Sequence, residues 1–147
     1  LVVPSATEMA PLTADPRLRD FIRDRARGAS YVASHCAGAF LLGEAGLLEG
    51  RRVTTYPGGE ADLAKRNPMA TVTETEIVVD GDLVTSSGAV VSYEASLSLL
   101  RAMTADAELV AAVRSELYLD RLTASPRRGP SQNPAGAARV AGSKEER

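Results

Sequence analysis

The sequence predicts an α/β fold, a mainly parallel sheet with helices on both faces and one β-hairpin. Three observations carry this. Short apolar runs (Leu1-Val2-Val3, Tyr31 to Ser34, Val53 to Tyr56, Ile77 to Val79, Leu83 to Thr85) alternate with segments of helical spacing. Asp80-Gly81 between two such runs is a strong two-residue hairpin signal. From Ser125 onward, Pro, Gly, Ala, Ser and Arg replace the large apolar residues, so the fold is expected within 1–124 and a disordered tail over 125–147.

The elements follow in chain order. Leu1-Val2-Val3 reads as the end of a buried strand and Pro4-Ser5-Ala6-Thr7-Glu8 as the loop leaving it. Asp15-Pro16 supplies an N-cap and a proline at the first helical position. Leu18, Phe21 and Ile22 then share one helical face, and Gly28 marks the stop. Tyr31 to Ser34 is the next strand, followed by a helix from Ala37 to about Ala45 that ends at Gly46. Val53 to Tyr56 predicts a strand closed by Pro57-Gly58-Gly59, and Glu60 to Arg66 a polar helix. After the hairpin, Val90, Tyr93, Leu97 and Leu100 are spaced as on a buried helix face. Thr104 is the expected cap of a last helix with Leu109, Val113 and Leu117 on one side.

Composition narrows the function classes. A chain of 147 residues with 44% hydrophobic residues and a net charge of −2 has no basic excess for nucleic acid or an anionic membrane. No apolar run is long enough to span a bilayer, so neither nucleic acid nor membrane is expected as a partner. A single cysteine cannot form an internal disulfide, which favours a reducing, cytoplasmic setting. One His beside that Cys cannot close a metal site, and Pro57-Gly58-Gly59 lacks the spacing and lysine of a phosphate loop. No metal or cofactor is expected. Arg127-Arg128 and Arg139 in the tail could attract an acidic partner, although a solvated extension explains them as well.

The chemistry concentrates at Cys36, in Tyr31-Val-Ala-Ser-His-Cys-Ala-Gly-Ala-Phe-Leu-Leu42. A strand ends on it and a helix begins just after it, with Ser34 two before and Gly38 two after. Small residues there let strand and helix approach through a tight turn, the pattern of a nucleophile elbow. A helix start favours thiolate over thiol, and the Ala37 N–H would face developing oxyanion charge. The competing reading is a small buried hydrophobe. His35 is a disfavoured base, because successive strand side chains point to opposite faces.

The run Ala33-Ser-His-Cys-Ala-Gly-Ala-Phe-Leu-Leu-Gly-Glu-Ala-Gly-Leu-Leu-Glu-Gly-Arg-Arg-Val-Thr-Thr-Tyr-Pro57 resembles the core of the ThiJ/PfpI superfamily. Ile77-Val-Val-Asp-Gly-Asp-Leu-Val-Thr-Ser-Ser-Gly88 and the helix after it resemble the family's closing hairpin and helix. The resemblance implies the class I glutamine amidotransferase-like fold, a flavodoxin-like three-layer sandwich, over Leu1 to about Leu119. The family holds deglycase- or glyoxalase-like, peptidase-like and isonitrile-hydrating proteins, as well as sensor domains of AraC-type regulators. By that resemblance Cys36 is the nucleophile, and the N–H groups of Ala37 and of Ala6, in the loop after Pro4, are the oxyanion donors. Tyr56 is placed to position a water or substrate.

The chain departs from the family pattern in three ways. The first loop has Pro4-Ser5-Ala6 where Pro-Gly-Gly is usual, and side chains resist the positive φ that glycine permits. The family's histidine positions hold Tyr56 and Ala37. The family's first strand and helix, whose loop carries the acidic residue that hydrogen-bonds the cysteine, would precede Leu1. The chain is therefore expected to be N-terminally truncated, or to complete its sheet with another chain as a homodimer. These points leave three readings: a cysteine-dependent hydrolase or lyase on small carbonyl or acyl compounds, a thiol or ligand sensor derived from an AraC-type regulator, and a degenerate structural homologue.

Overall fold

The computed structural model describes residues 1–124, and the tail read over 125–147 lies outside the described residues. The elements run β1 (Val2–Val3), α1 (Ala10–Thr13), α2 (Pro16–Arg27), β2 (Val32–His35), α3 (Gly38–Glu44) and β3 (Arg52–Val53). They continue with α4 (Glu60–Arg66), β4 (Thr71–Val72), β5 (Ile77–Asp80), β6 (Leu83–Ser86), α5 (Val91–Thr104), α6 (Ala107–Glu116) and α7 (Leu119–Ala124). The main sheet has the order β1-β2-β6-β5; β1, β2 and β6 are parallel and β5 is antiparallel to β6. β3 and β4 form a separate two-stranded parallel ladder. This is the predicted α/β fold with a mostly parallel sheet and a hairpin.

The pleat sends alternate residues to two helical layers. On one face Val3, Val32 and Leu83 pack with Ile22, Phe40, Leu41, Leu42, Leu48, Val53 and Leu63 in the larger core. On the other, Ala33 and Val84 pack against Ala95 of α5. A third cluster of Leu97, Val110 and Leu119 joins α5, α6 and α7. Each large side chain so buried contributes about 1.5–3 kcal/mol relative to exposure.

Local signals in the sequence set most boundaries. Asp15 caps α2 by accepting from the Arg17 N–H at 2.9 Å. Gly46, at φ +74°, ends the α3 region with its own N–H bonded to Gly43 O and the Leu47 N–H to Leu42 O. In the hairpin, Asp80 pairs with Leu83, so the loop residues are Gly81-Asp82, one step beyond the expected Asp80-Gly81. Gly81 takes φ +62° at the first loop position, as a type II′ turn requires. Arg51 then ties the hairpin to β3, bonding the Asp80 carboxylate at 3.1 Å and that of Asp82 at 2.7 Å.

Several further details differ from the sequence reading. The short helix α1 has no counterpart in it. Phe21 is 53% exposed with Arg25 stacked over its ring, because the buried stripe of α2 runs through Leu18, Ile22 and Ala26. Val90 and Tyr93 are exposed, since α5 meets the sheet through Ala95 and the α6 layer through Leu97. α6 is capped by Asp106, which accepts from the Leu109 N–H; Thr104 ends α5 with its hydroxyl turned back to Leu100 O. Val110 faces inward there, while Leu109 and Leu117 are exposed. Among the described residues no helix is long and apolar enough to cross a membrane.

Candidate active site

β2 is flanked by β1 and β6, and Cys36 follows immediately at its carboxyl end. Cys36 adopts φ +54°, a left-handed conformation that is costly for a residue with a Cβ. Such backbone stores about 1–3 kcal/mol and persists only where the surroundings over-determine it. Three contacts do so here. The Cys36 N–H donates to Ser86 O at 2.8 Å, extending the β2–β6 ladder past the strand ends. The Thr55 hydroxyl donates to Cys36 O at 3.0 Å. The backbone of Gly88, at φ +95°, lies so close that a Cβ there would fall 2.5 Å from Cys36 Cβ.

Gly38, the first residue of α3, performs a second close approach. A Cβ on it would lie 2.3 Å from Val3 O and 3.0 Å from Pro4 O. The helix therefore starts directly against the end of β1, beside the loop that holds Ser5 and Ala6. The small residue two after Cys36 is what permits this close approach of helix and strand. Cys36 is half-buried, and its thiol is free.

The sequence predicted a strand over Val53 to Tyr56, but the ladder stops at Val53. The reason is tertiary: the Thr54 N–H donates to the Thr85 hydroxyl at 2.9 Å rather than to a strand, and Thr55 turns its hydroxyl to Cys36. Both threonines are fully buried. Ser34, Thr54, Thr55, Thr85 and Ser86 form the buried polar set at this end of the sheet, and Ser34 Oγ has no hydrogen-bond partner among the described residues.

Ala37 and Tyr56 line one pocket of about 170 Å³ together with Met9, Phe40, Asp62 and Arg66. The Tyr56 ring leans toward Phe40 at 6.1 Å and rests on Gly59, where a Cβ would come 2.6 Å from Cζ. Arg66 is paired with Asp62 at 3.1 Å and sits over the Phe40 ring. Ala6 is exposed in the loop between β1 and α1, and neither it nor Cys36 is part of the lining. Among the described residues no cluster of His, Cys, Asp and Glu is suited to hold a metal ion.

His35 belongs to the other side of the sheet. Its Nδ1 lies 2.8 Å from Ser86 Oγ, and no side chain among the described residues is hydrogen-bonded to Cys36 Sγ. Burial holds the His35 imidazole below the ordinary histidine value. The sign of the consequence follows from proton counting. The unfolded chain takes up the proton first, near the ordinary histidine value of about 6.5, so this contribution to stability is full above that pH. It is lost as pH falls toward the folded value. The melting temperature is expected to drop between pH 7 and 5, and His35→Gln to flatten that slope. Identical slopes in both proteins would assign the effect to other groups.

Sequence reasoning did not single out Thr55, Ser86 or Gly88 for the site. Their signal was faint: a Thr-Thr pair where a strand should continue, and a Ser-Ser-Gly run at a strand end.

Known proteins resemble this chain in sequence and in fold. The sequence model of the DJ-1/PfpI family matches residues 1–113. An isonitrile hydratase of Pseudomonas putida is 37% identical over 99 residues, covering 67% of this chain and 42% of that protein. The helix-turn-helix-type transcriptional regulator CdhR of Pseudomonas aeruginosa is 30% identical over 113 residues, 76% of this chain and 33% of the regulator. The crystal structure of a ThiJ/PfpI family protein from Pseudomonas syringae superposes with a TM-score of 0.73 at 24% identity, over 86% of this chain and 51% of that one. The chain spans less than half the length of the hydratase and a third of the regulator.

Proposed function

Because the chain belongs to the DJ-1/PfpI family, we propose that Cys36 is a reactive nucleophile and that the protein is a cysteine-dependent hydrolase or lyase acting on small carbonyl or acyl compounds. The observation that carries this reading is the left-handed backbone of Cys36. A core cysteine has no need of such strain, whereas a nucleophile raised on a strand-to-helix turn does. In this mechanism the Cys36 thiolate adds to the carbonyl carbon. The carbonyl π pair becomes an oxyanion facing the Ala37 N–H and the backbone donor at Ala6. Tyr56, on the neighbouring pocket wall, orients a water or the substrate. The neighbouring pocket, at about 170 Å³, is smaller than the roughly 300–1,000 Å³ of drug-sized ligand sites and leaves room only for a small compound, whose apolar substituent its Met9, Phe40 and Tyr56 lining suits.

The test is consumption of methylglyoxal, and of an alkyl isonitrile in view of the hydratase relative. Wild type is compared with Cys36→Ser, and the variant is expected to lose at least about 10³-fold in turnover. Equal turnover by both proteins would remove Cys36 from the chemistry.

A second reading has its own observation. The absence of a side chain hydrogen-bonded to Cys36 Sγ, among the described residues, leaves the thiol with no built-in base. General base catalysis typically supplies about 10²–10⁴-fold. Together with the regulator relative, this favours a ligand-sensing or thiol-sensing module. Wild type that is modified at Cys36 but turns over no substrate would decide for it.

A further inference from the structure

We propose that Thr55 is a positioning residue: through Cys36 it aims the Ala37 N–H at the site where oxyanion charge develops. The proposal rests on the nucleophile reading above and adds a residue to it.

The argument begins with the peptide bond. Cys36 C=O and Ala37 N–H belong to one planar trans peptide, so fixing the carbonyl fixes the opposite direction of the N–H. The Thr55 hydroxyl donates to that carbonyl at 3.0 Å. Among the described residues the other donor to it is the backbone N–H of Ala39, at a long 3.4 Å. The N-terminal side of Cys36 is already held by its bond to Ser86 O, which leaves rotation of the Cys36–Ala37 peptide as the loose degree of freedom. Thr55 is wholly buried, so water does not compete for its hydroxyl. Loss of the hydroxyl would leave the carbonyl largely unpaired and the peptide free to tilt. A donor that is tilted in the resting state stabilises an oxyanion less, because preorganised aim is what makes such donors effective.

Two reagents separate aim from mere thiol access. With p-nitrophenyl acetate, Cys36 Sγ bonds to the acetyl carbon and the carbonyl pair moves to oxygen. The adduct then collapses as the C–O bond breaks, giving the thioester and p-nitrophenolate, while the thiol proton passes to buffer. With iodoacetamide, Sγ bonds to the methylene carbon and iodide leaves, with no oxyanion formed. Thr55→Val keeps the shape and removes the donor; Thr55→Ser keeps the donor.

The valine variant is expected to acylate about 10-fold more slowly, an order below loss of a whole oxyanion donor. Its alkylation rate should stay within about twofold of wild type, and serine should restore acylation. Should the valine variant not fold, Thr55→Ala carries the same comparison. The proposal is overturned if the hydroxyl-less variant acylates at the wild-type rate, if acylation and alkylation fall together, or if serine does not rescue. Wild type that alkylates at Cys36 but never acylates would overturn the acyl-chemistry reading itself, and this inference with it.

Discussion

Gly88→Ala is expected to destabilise the fold by about 2–5 kcal/mol and to lower the alkylation rate of Cys36. Two effects add. Alanine at φ +95° meets the backbone penalty of left-handed space, about 1–2 kcal/mol. Its Cβ would also stand 2.5 Å from Cys36 Cβ and 3.2 Å from Cys36 Cα, a contact relieved only if the elbow or the loop after β6 moves. Overpacking of this kind costs about 1–3 kcal/mol. Against a typical domain stability of about 5–15 kcal/mol the loss is large, and it should lower the melting temperature by roughly 10 °C. A double-mutant cycle localises it. In a Cys36→Gly background both the Cβ contact and the need for left-handed cysteine vanish, so Gly88→Ala should cost less there. An unchanged cost would place the effect in the Gly88 backbone alone.

Gly38→Ala sets two effects of opposite sign against each other. Alanine in a helix gains about 1 kcal/mol over glycine. The new Cβ, however, would lie 2.3 Å from Val3 O and 3.1 Å from Val3 C, both backbone atoms in a strand that cannot swing away like a flexible side chain. The steric cost wins, and a net loss of about 1–3 kcal/mol is expected by thermal or denaturant unfolding. The displacement would separate α3 from the loop that holds Ala6, so acylation by an activated ester should fall as well. A variant as stable as wild type would show that β1 and α3 are not held by this contact.

These two glycines show how the sequence could be read and where it could not. Gly38 was legible because it stands in register with Cys36, two residues on, where the chain itself dictates a close turn. Gly88 was not, since its partner is remote in sequence and nothing in Ser86-Ser-Gly88 names that partner. The same contrast separates Phe21 from Ile22. Both fit the helical stripe by spacing, but only Ile22 meets a neighbouring element, and Phe21 is left to Arg25 and solvent. Tyr93 was likewise assigned to a buried face by period alone. Period tells which residues share a face, and packing tells which face is covered.

By itself the sequence determined what short-range physics controls. It specified the alternation of apolar strands with helices, the Asp15-Pro16 start, the Gly46 stop, a hairpin within one residue of its observed place, and a lone cysteine between small residues at a strand end. Each depends on atoms within a few residues of one another. Only the tertiary structure decided the left-handed backbone of Cys36, the end of the third strand at Val53, and the partnership of His35 with Ser86 rather than with the thiol. All three follow from hydrogen bonds and contacts brought together by the parallel crossover of β2 and β6 and by the loop after β3. A backbone strain of a few kcal/mol has no local sequence signature; it exists because distant groups hold it in place.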